Sequence, residues 1–315
     1  MLLLVGLALA PGQVAAHKAP AALLPRPPAL NLRGTSASTT PIVPPPAAEA
    51  KSPPGWTKAD IVAAKAECDT LMTGLAADFA FGAPIRKGQC GTAQPVELRS
   101  IGAKPAIAIV PPAVMNCRLA AKLVQWFKQD VQPLARAQLT SEVVAIKNEA
   151  AYDCRNRYGD PGQKLSEHAT ANALDIGALT LANGSELSIS ANWGPVLRDL
   201  IKSAKGAKPA AGFAATVTRA DGSNNATGSL PALTPELAAQ RHLGSSAIRQ
   251  AQRDEAAALG VSLPAPQTAQ AKFIHAIHAS ACQQFGTVLG PEANDAHREH
   301  FHLDLAPRAG SSYCE

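Results

Sequence analysis

The chain has 315 residues, enough for one or two domains, and 46% of them are hydrophobic, enough for a sizeable core. Aromatic residues make up only 4%, and a formal net charge of +5 is too small to indicate a nucleic-acid-binding protein. This mild excess suits an anionic wall or membrane surface, and it excludes neither an enzyme nor a binding module.

The N-terminal segment, residues 1–17, is typical of an export signal. Met1–Ala10 is nearly all apolar, and Val14-Ala15-Ala16 offers small residues for cleavage. The apolar run is shorter than the roughly 20 residues that span a bilayer, and no later segment is apolar enough to do so. We therefore expect a periplasmic or secreted protein with no transmembrane span beyond this signal.

Two further stretches have the composition of flexible chain. Residues 18–55 hold ten prolines among Ala, Ser and Thr, which predicts an extended, mostly disordered linker. Residues 204–245 are rich in Ala, Gly, Ser, Thr, Asn and Pro without a clear period, which predicts a flexible insertion. The folded domain is expected over residues 56–315, interrupted by that insertion.

The six cysteines are even in number and include no Cys-x-x-Cys pair, so a disulfide framework is favoured over a thiolate zinc site. We predict the pairs Cys68–Cys90, Cys117–Cys154 and Cys282–Cys314. The last pair would hold the chain end against the helix around Cys282. Disulfides form and persist in oxidising compartments, which agrees with export.

Helices and strands, taken in chain order, are predicted from capping residues, periodicity and turn signals. Thr57-Lys-Ala-Asp60 resembles a capping box and predicts a helix that runs to about Leu71. The later predictions are strands at Val96–Leu98 and Ala106–Val110, a helix at Cys117–Asp130, strands at Glu142–Lys147 and Ala151–Arg155 joined by a turn at Asn148-Glu149, a polar loop at 156–165, a hairpin of Ala178–Ala182 and Glu186–Ser190, helices at Trp193–Ser203, Ser246–Leu259 and Lys272–Phe285, and a strand at Thr287–Leu289.

Two groups suited to a metal ion lie in the stretch Ser166-Glu-His-Ala-Thr-Ala-Asn-Ala-Leu-Asp-Ile-Gly177. They are His168 and Asp175, separated by six residues, and an imidazole nitrogen and a carboxylate oxygen both suit Zn²⁺. Leu174-Asp175-Ile176 alternates apolar, acidic and apolar, as a strand does when it points one carboxylate into a cleft. A third ligand is still needed.

The C-terminal stretch His297-Arg-Glu-His-Phe-His-Leu-Asp304 offers that third ligand. In His300-Phe301-His302 the two imidazoles are two residues apart, so on a strand both point to the same face. Three protein ligands and one open position are the arrangement of a catalytic zinc site. His242, His275 and His278 receive no role, because no third ligand is evident near them.

Three stretches resemble the bacterial extensin-like C-terminal domain family. They are Tyr152-Asp-Cys-Arg155, the stretch Ser166–Gly177 and His297-Arg-Glu-His-Phe-His-Leu-Asp-Leu-Ala-Pro-Arg308. That family is in turn similar to the D-Ala-D-Ala carboxypeptidase and Hedgehog-type zinc peptidases, through Ser-x-His-x6-Asp followed by His-x-His. The resemblance implies an α+β fold in which helices flank a small antiparallel sheet that carries the metal site. It also implies peptidoglycan stem peptides as substrate; Ala171 stands where the peptidases usually have glycine.

On this interpretation His168, Asp175 and His302 are the zinc ligands, and two candidates for the general base stay open. Glu299 stands three residues before His302, the offset that the base has in many of the peptidases that the chain resembles. His300 stands two residues before it, the other pattern in that superfamily, and shares the face of His302 on an extended strand. A base must lie within hydrogen-bond reach of the attacking water.

Arg155 and Ser166 are the candidates for holding the substrate. Similar peptidases place an arginine just upstream to bind a substrate carboxylate, and a guanidinium does so through two parallel hydrogen bonds. The alternatives are a structural ion pair for Arg155 and a capping hydroxyl for Ser166. Asp304 and His297 are candidates for orienting an imidazole, or else solvated loop residues.

Two functions follow from these expectations. The first is an exported zinc-dependent peptidase that acts on peptidoglycan stem peptides. The alternative is a non-catalytic, cell-wall-associated module that keeps the site for structural zinc or for ligand binding. Both predict a bound metal ion, and they differ in whether a peptide bond is cleaved.

Overall fold

The structure of the protein is a computed structural model. It describes residues 55–206, 245–308 and 312–315, without the side chains of residues 245–248. These residues belong to one compact unit, Lys51–Glu315. The predicted export signal, nearly all of the predicted linker and most of the predicted insertion lie outside the described residues, so those predictions stay untested.

A nine-stranded mixed sheet dominates the fold. The strands are β1 (Ala77–Phe81), β2 (Ile85–Lys87), β3 (Cys90–Thr92), β4 (Pro95–Ile101), β5 (Ile107–Asn116), β6 (Val143–Ala150), β7 (Ala173–Leu181), β8 (Glu186–Ser188), β9 (Thr287–Leu289), β10 (Phe301–Asp304) and β11 (Tyr313–Cys314). The order across the large sheet is β1-β4-β5-β6-β7-β10-β9-β11, with β8 also pairing with β7, while β2 and β3 form a separate hairpin. The pairs β5–β6 and β9–β11 are parallel, and the other pairs of the large sheet are antiparallel.

Seven α-helices accompany the sheet in the described part of the chain. They are α1 (Lys58–Met72), α2 (Cys117–Trp126), α3 (Gln132–Leu139), α4 (Ile189–Trp193), α5 (Leu197–Gly206), α6 (Ser245–Ala258) and α7 (Ala269–Gln284). The predicted capping box starts α1: the Thr57 hydroxyl accepts the Asp60 N–H at 3.1 Å, and the Asp60 carboxylate accepts the Thr57 N–H at 2.9 Å. Satisfying both donors fixes the first turn.

Helices α2 and α3 explain why β5 and β6 are parallel. The chain leaves the sheet at Asn116 and re-enters it at Val143, and parallel neighbours need a crossover of this kind. The Asn116 side chain starts α2 by accepting the N–H of Leu119 at 2.9 Å. The α+β class is therefore as predicted, but the sheet is larger and mixed instead of small and antiparallel.

The apolar face predicted for the helix from Cys117 is buried. Leu119, Leu123 and Trp126 are at most 1% exposed, and burying each such side chain contributes about 1.5–3 kcal/mol. The same face continues through a π-helical turn at Phe127–Val131 into α3. This packing holds the crossover helices in the core that lies beneath the sheet.

The strand predicted at Glu142–Lys147 is confirmed as part of β6, but the turn and the second strand predicted after it are wrong. Asn148 and Glu149, predicted as a turn, lie inside the single strand β6, and residues 151–155 form no strand. The register between β6 and β7 shifts on both sides of Asn148, so bulges accommodate the polar residues without reversing the chain. Asn148 Nδ2 donates to the Pro111 carbonyl at 3.1 Å, which fixes this side chain in the sheet.

The helix predicted at Trp193–Ser203 is confirmed only from Leu197 on, because the chain is interrupted just after the first predicted residue. Helix α4 ends at Trp193, and Gly194 has φ 95°, a left-handed value that interrupts a helix. Pro195 follows, and α5 begins only at Leu197. The break separates two short helices in the segment that joins β8 to the predicted insertion.

Two of the three predicted disulfides are wrong. The pairs are Cys68–Cys117, Cys90–Cys154 and Cys282–Cys314, so only the last is as predicted. Helices α1 and α2 lie together and bring the first pair into contact. The hairpin β2–β3 brings Cys90 to the segment after β6. Within the described residues, no cysteine is free.

Peptide mapping of the unreduced protein should recover this connectivity. Replacing both Cys90 and Cys154 by serine releases a loop with a sequence separation of 64. We expect the free energy of unfolding to fall by roughly 2–5 kcal/mol, measured by urea denaturation. Recovery of a Cys68–Cys90 peptide instead would contradict the contact between α1 and α2.

No helix within residues 55–206, 245–308 and 312–315 is long and apolar enough to cross a membrane.

Candidate metal centre

The three predicted metal ligands meet where β7 pairs with β10. In that antiparallel pair His302 lies directly opposite Asp175. His168 comes from the short helical turn Glu167–Thr170 that precedes β7. All three side chains are buried, with 1%, 4% and 8% exposure for His168, Asp175 and His302. The register of β7 and β10 therefore places Asp175 and His302 side by side, and the short turn before β7 places His168 beside them.

Three atoms of these side chains form a nearly equilateral triangle. His168 Nε2 lies 3.1 Å from His302 Nδ1, His302 Nδ1 lies 2.9 Å from Asp175 Oδ1, and Asp175 Oδ1 lies 3.2 Å from His168 Nε2. Tetrahedral zinc, with bonds of about 2.0–2.2 Å, holds neighbouring ligand atoms roughly 3.3–3.6 Å apart. The triangle is a few tenths of an ångström tighter than that spacing.

The other ring nitrogens of both histidines are already committed as donors. His168 Nδ1 donates to the Ala151 carbonyl at 2.6 Å, and His302 Nε2 donates to Asp304 Oδ2 at 3.1 Å. In neutral rings the nitrogens of the triangle then carry lone pairs. Three acceptors facing one another repel, so this arrangement calls for a cation among them.

The pKa values indicate the same need for positive charge. Burial alone would raise the pKa of Asp175, but the close contacts of its carboxylate with His168 and His302 hold that pKa far below its ordinary value. Burial alone would lower the pKa of His302, but its hydrogen bonds with Asp175 and Asp304 raise it to about 9. Without a metal ion, a proton on His302 supplies this positive charge. A divalent ion bound by the three side chains would replace that proton. The donor set thus fits zinc.

The two candidate bases occupy different surroundings. His300 Nε2 lies 3.6 Å from Asp175 Oδ2, and the ring faces the same cleft as the ligands. Glu299 is exposed, and its Oε2 accepts the Ser190 hydroxyl at 2.6 Å, away from that cleft. The strand begins only at Phe301, yet His300 still reaches the carboxylate of Asp175.

Of the two residues predicted to orient an imidazole, only Asp304 does so by a hydrogen bond. His297 donates from Nδ1 to Asn294 Oδ1 at 2.8 Å, and its ring lies edge-on to that of His302 with centroids 5.7 Å apart. Burial and the neighbouring His302 lower the pKa of His297 to about 4. His297 therefore forms a neutral wall of the site.

The triangle lies in a cleft of about 390 Å³. The lining residues are Arg155, Arg157, Tyr158, Ser166, Glu167, His168, Asp175, Thr287, Leu289, Ala296, His297, His300, His302, Asp304, Arg308 and Tyr313. Sequence reasoning did not identify Arg157, Tyr158 or Arg308 as part of it. Only their positions in the sequence could have indicated these residues. Arg157 and Tyr158 lie just after the stretch that ends at Arg155, and Arg308 ends the last stretch that resembles the family.

A family comparison matches most of the folded chain. The model of the family described as "Extensin-like protein C-terminus" matches residues 66–215 and 247–315, more than half of the sequence. The chain belongs to this extensin-like family. The first matched range contains His168 and Asp175, and the second contains His302. No curated protein and no solved structure matches the chain.

In this extensin-like domain both predicted substrate-holding residues line the cleft. Arg155 Nε forms an ion pair with Asp153 Oδ2 at 2.8 Å, which leaves both Nη groups without another hydrogen bond among the described residues. The Ser166 hydroxyl accepts the His168 N–H at 3.4 Å as the cap of the turn. Each residue thus has the predicted structural contact and also faces the cleft.

The turn that carries His168 is fixed from two sides. Ala171 ends it with φ 55°, a left-handed conformation that glycine adopts more easily, and its carbonyl accepts the Asn116 N–H at 2.6 Å. The Asn172 side chain connects the start of α2 to this turn. Its Oδ1 accepts from Asn116 Nδ2 at 2.9 Å, and its Nδ2 donates to Glu167 Oε2, in the turn, at 2.7 Å. The start of α2 therefore positions a predicted ligand.

The histidines without a predicted role lie elsewhere. His275 stacks on Trp193 with centroids 4.0 Å apart. His278 lies close to Cys282 and Cys314, but these two sulfurs are joined in a disulfide, so they offer no thiolate to a metal ion. His242 lies outside the described residues.

Asp304 should matter for metal affinity without touching the ion. Changing Asp304→Asn keeps its shape but removes the charge that holds His302, so we expect zinc affinity to fall roughly 10- to 100-fold. Competition with a chromophoric chelator measures this. The matched control is Asp254→Asn on α6, an exposed carboxylate that accepts from Gln250 four residues earlier and does not line the cleft. Equal affinity of the two variants would contradict the role of Asp304.

The metal-free protein should lose stability as pH rises. The folded pKa of His302, about 9, lies above the unfolded value, so its contribution is complete below about pH 6.5 and disappears as pH rises through 9. The pKa of Asp175 is lowered, so its contribution is present above about pH 4 and lost in acid. With chelator present, we expect the unfolding free energy to fall by about 3 kcal/mol between pH 6.5 and 9.

Urea denaturation in the presence of a chelator at several pH values measures this change. A His302→Gln variant should show a flat profile over the same range. The same decline in that variant would mean that another group carries the pH dependence.

Proposed function

We propose that this extensin-like domain is an exported zinc-dependent peptidase that acts on peptidoglycan stem peptides. The observation that carries the proposal is the triangle of His168 Nε2, Asp175 Oδ1 and His302 Nδ1, with edges of 2.9–3.2 Å. Two imidazole nitrogens and one carboxylate oxygen form a donor set that zinc favours, and three protein ligands leave one coordination position open.

Zinc bound by these residues supplies Lewis-acid activation of a peptide carbonyl and of water. His300 is the proposed general base, because its ring faces the same cleft and its Nε2 lies 3.6 Å from Asp175 Oδ2. Burial lowers the pKa of His300, so the ring is neutral at pH 7 and able to accept a proton. Glu299 is the second candidate, but it would first have to leave Ser190.

Arg155 and Ser166 are proposed to hold the substrate. The two Nη groups of Arg155 can bind a carboxylate through parallel hydrogen bonds while its Nε stays paired with Asp153. The Ser166 hydroxyl, which caps the turn as an acceptor, retains its proton for a substrate carbonyl. Both residues line the same cleft as the proposed ligands.

A location outside the cytoplasm, periplasmic or secreted, is supported by the disulfides. Three pairs connect distant parts of one domain, with sequence separations of 49, 64 and 32. Such bonds persist in oxidising compartments and are rare in the cytosol. Peptidoglycan lies in that compartment, and the formal charge of +5 suits an anionic polymer.

Digestion of purified stem peptides by the zinc-loaded protein tests the proposal. We expect a new free amine and a new free carboxylate, detected by mass spectrometry, that disappear with a chelator and return with added zinc. If the loaded protein binds metal and peptide without forming any product, the domain is instead a non-catalytic module of the cell wall.

A further inference from the structure

A short turn at the rim of the cleft presents two side chains that the proposed mechanism does not use. It is the helical turn Arg157–Gly159, in which Tyr158 has φ 57°. Non-glycine residues adopt this left-handed conformation at a cost and do so most often near functional sites. Both Arg157 and Tyr158 line the cleft of the metal centre.

The base of this turn is well anchored. Asn156 and Leu165 form a β-bridge, and the Arg157 N–H donates to the Lys164 carbonyl at 2.9 Å. Asn156 Nδ2 adds a bond to the Pro161 carbonyl at 2.9 Å. The backbone is thus fixed while the two side chains at the tip project into the cleft, as in a surface that is formed in advance for a ligand.

Arg157 differs from the other two guanidinium groups of the cleft. Arg155 is paired with Asp153, and Arg308 donates to the Thr287 hydroxyl and lies over the ring of Tyr313, 5.6 Å from its centroid. The side chain of Arg157 is half-buried and has no acidic partner or hydrogen bond within the described residues. A half-buried cation without a partner is a ready site for an anion.

Among the described residues, no carboxylate of the cleft forms an ion pair with Arg157. Asp175 and Asp304 are both engaged with His302, and Glu167 accepts the amide of Asn172 at 2.7 Å. Arg157 therefore offers an unpaired positive charge at the rim, while the carboxylates of Asp175 and Asp304 lie at the proposed metal centre. This distribution favours a substrate with more than one carboxylate.

Tyr158 adds an apolar surface beside this charge. Its side chain is 63% exposed, and its ring lies edge-on to His297 with centroids 6.3 Å apart. An exposed aromatic ring at the mouth of a cleft can pack against the aliphatic part of a bound peptide. Together the two residues give one wall of the cleft both charge and apolar area.

We propose that Arg157 and Tyr158 determine substrate specificity: Arg157 binds a second carboxylate of the peptide, distinct from the one bound by Arg155, and Tyr158 packs beside it. The inference rests on the proposed function, because it assigns the substrate class of the same site. The substrate is a peptide with two free carboxylates, one bound by Arg155 and the other by Arg157.

Binding of three related peptides to the zinc-loaded full chain tests this assignment by calorimetry, with His300→Ala as the common background in every variant and in the wild-type reference so that the peptides are not cleaved. The probes are L-Ala-γ-D-Glu-L-Lys-D-Ala-D-Ala, the same peptide with the glutamyl α-carboxylate amidated, and the same peptide with the C-terminal carboxylate amidated. We expect Arg157→Gln to weaken binding of the first peptide roughly 10- to 100-fold. One of the two amidated peptides lacks the carboxylate that Arg157 binds, so it should bind equally to Arg157→Gln and to the wild type. The other lacks the carboxylate that Arg155 binds, so it should bind equally to Arg155→Gln and to the wild type.

The variants at Tyr158 separate ring packing from backbone strain. Tyr158→Phe should bind as the wild type does, while Tyr158→Asn, which tolerates the left-handed conformation but lacks the ring, should weaken all three peptides. Arg157→Gln variants that bind every peptide as the wild type does, or that weaken all three equally, would overturn the assignment. Because the readout is binding, an absence of cleavage would overturn the peptidase proposal and leave this one testable.

Discussion

Changing His300→Ala should lower peptide cleavage roughly 100- to 10,000-fold while the protein keeps its zinc. The reason is that the ring faces the cleft near Asp175 but is not part of the triangle of ligand atoms. Turnover of a stem peptide and zinc content, measured on the same preparation, separate loss of a base from loss of the metal. The expected pattern is full zinc content with nearly no product.

The matched control is the other candidate base. Glu299→Ala removes a hydrogen bond with Ser190 at the exposed surface, so we expect turnover within a few-fold of the wild type. If Glu299→Ala loses turnover and His300→Ala keeps it, the roles of the two residues are reversed. If neither variant loses turnover, the base lies elsewhere.

Changing Asp175→Ala should abolish zinc binding at micromolar concentrations. This residue supplies the only negative charge in the triangle and contacts both imidazoles, at 2.9 and 3.2 Å. The loss should exceed the roughly 10- to 100-fold expected for a residue that only orients a ligand. Equilibrium dialysis followed by metal analysis measures it.

Two controls make this result specific. Asp304→Asn should give the intermediate loss described above, and Asp254→Asn should bind zinc as the wild type does. A domain that keeps stoichiometric zinc after Asp175→Ala would show that the metal binds at another place. Circular dichroism of each variant distinguishes loss of zinc from loss of the fold.

The position of the proposed ligands could be predicted because local patterns determine it. The alternation Leu174-Asp175-Ile176 belongs to a strand, and the strand at His302 pairs with it in a register that makes the two polar residues neighbours. The position of His168 could be predicted because its turn lies close in sequence to the same strand, β7. Each step depends on residues near in sequence and on one strand pairing.

The errors have a different origin, because they depend on contacts between distant segments. Cys68 pairs with Cys117 because α1 and α2 pack together, and no sequence spacing encodes that contact. The bulges that carry Asn148 through β6 depend on the neighbouring strand β7. Polar residues in a row predicted a turn, and tertiary pairing overrode that preference.

The cleft residues Arg157 and Tyr158 could not be identified from sequence for a related reason. They lie in a loop whose composition predicts only a polar connection between two motifs. Their position at the cleft depends on the left-handed residue Tyr158 and on the bridge between Asn156 and Leu165. Loop conformation is determined by such individual contacts more than by periodicity.

The most direct measurement is anomalous diffraction at the zinc absorption edge from crystals of the zinc-loaded protein. A single strong peak should lie about 2.0–2.2 Å from His168 Nε2, Asp175 Oδ1 and His302 Nδ1. A peak only near His278, or no peak at these three atoms, would contradict the metal centre and the peptidase that depends on it.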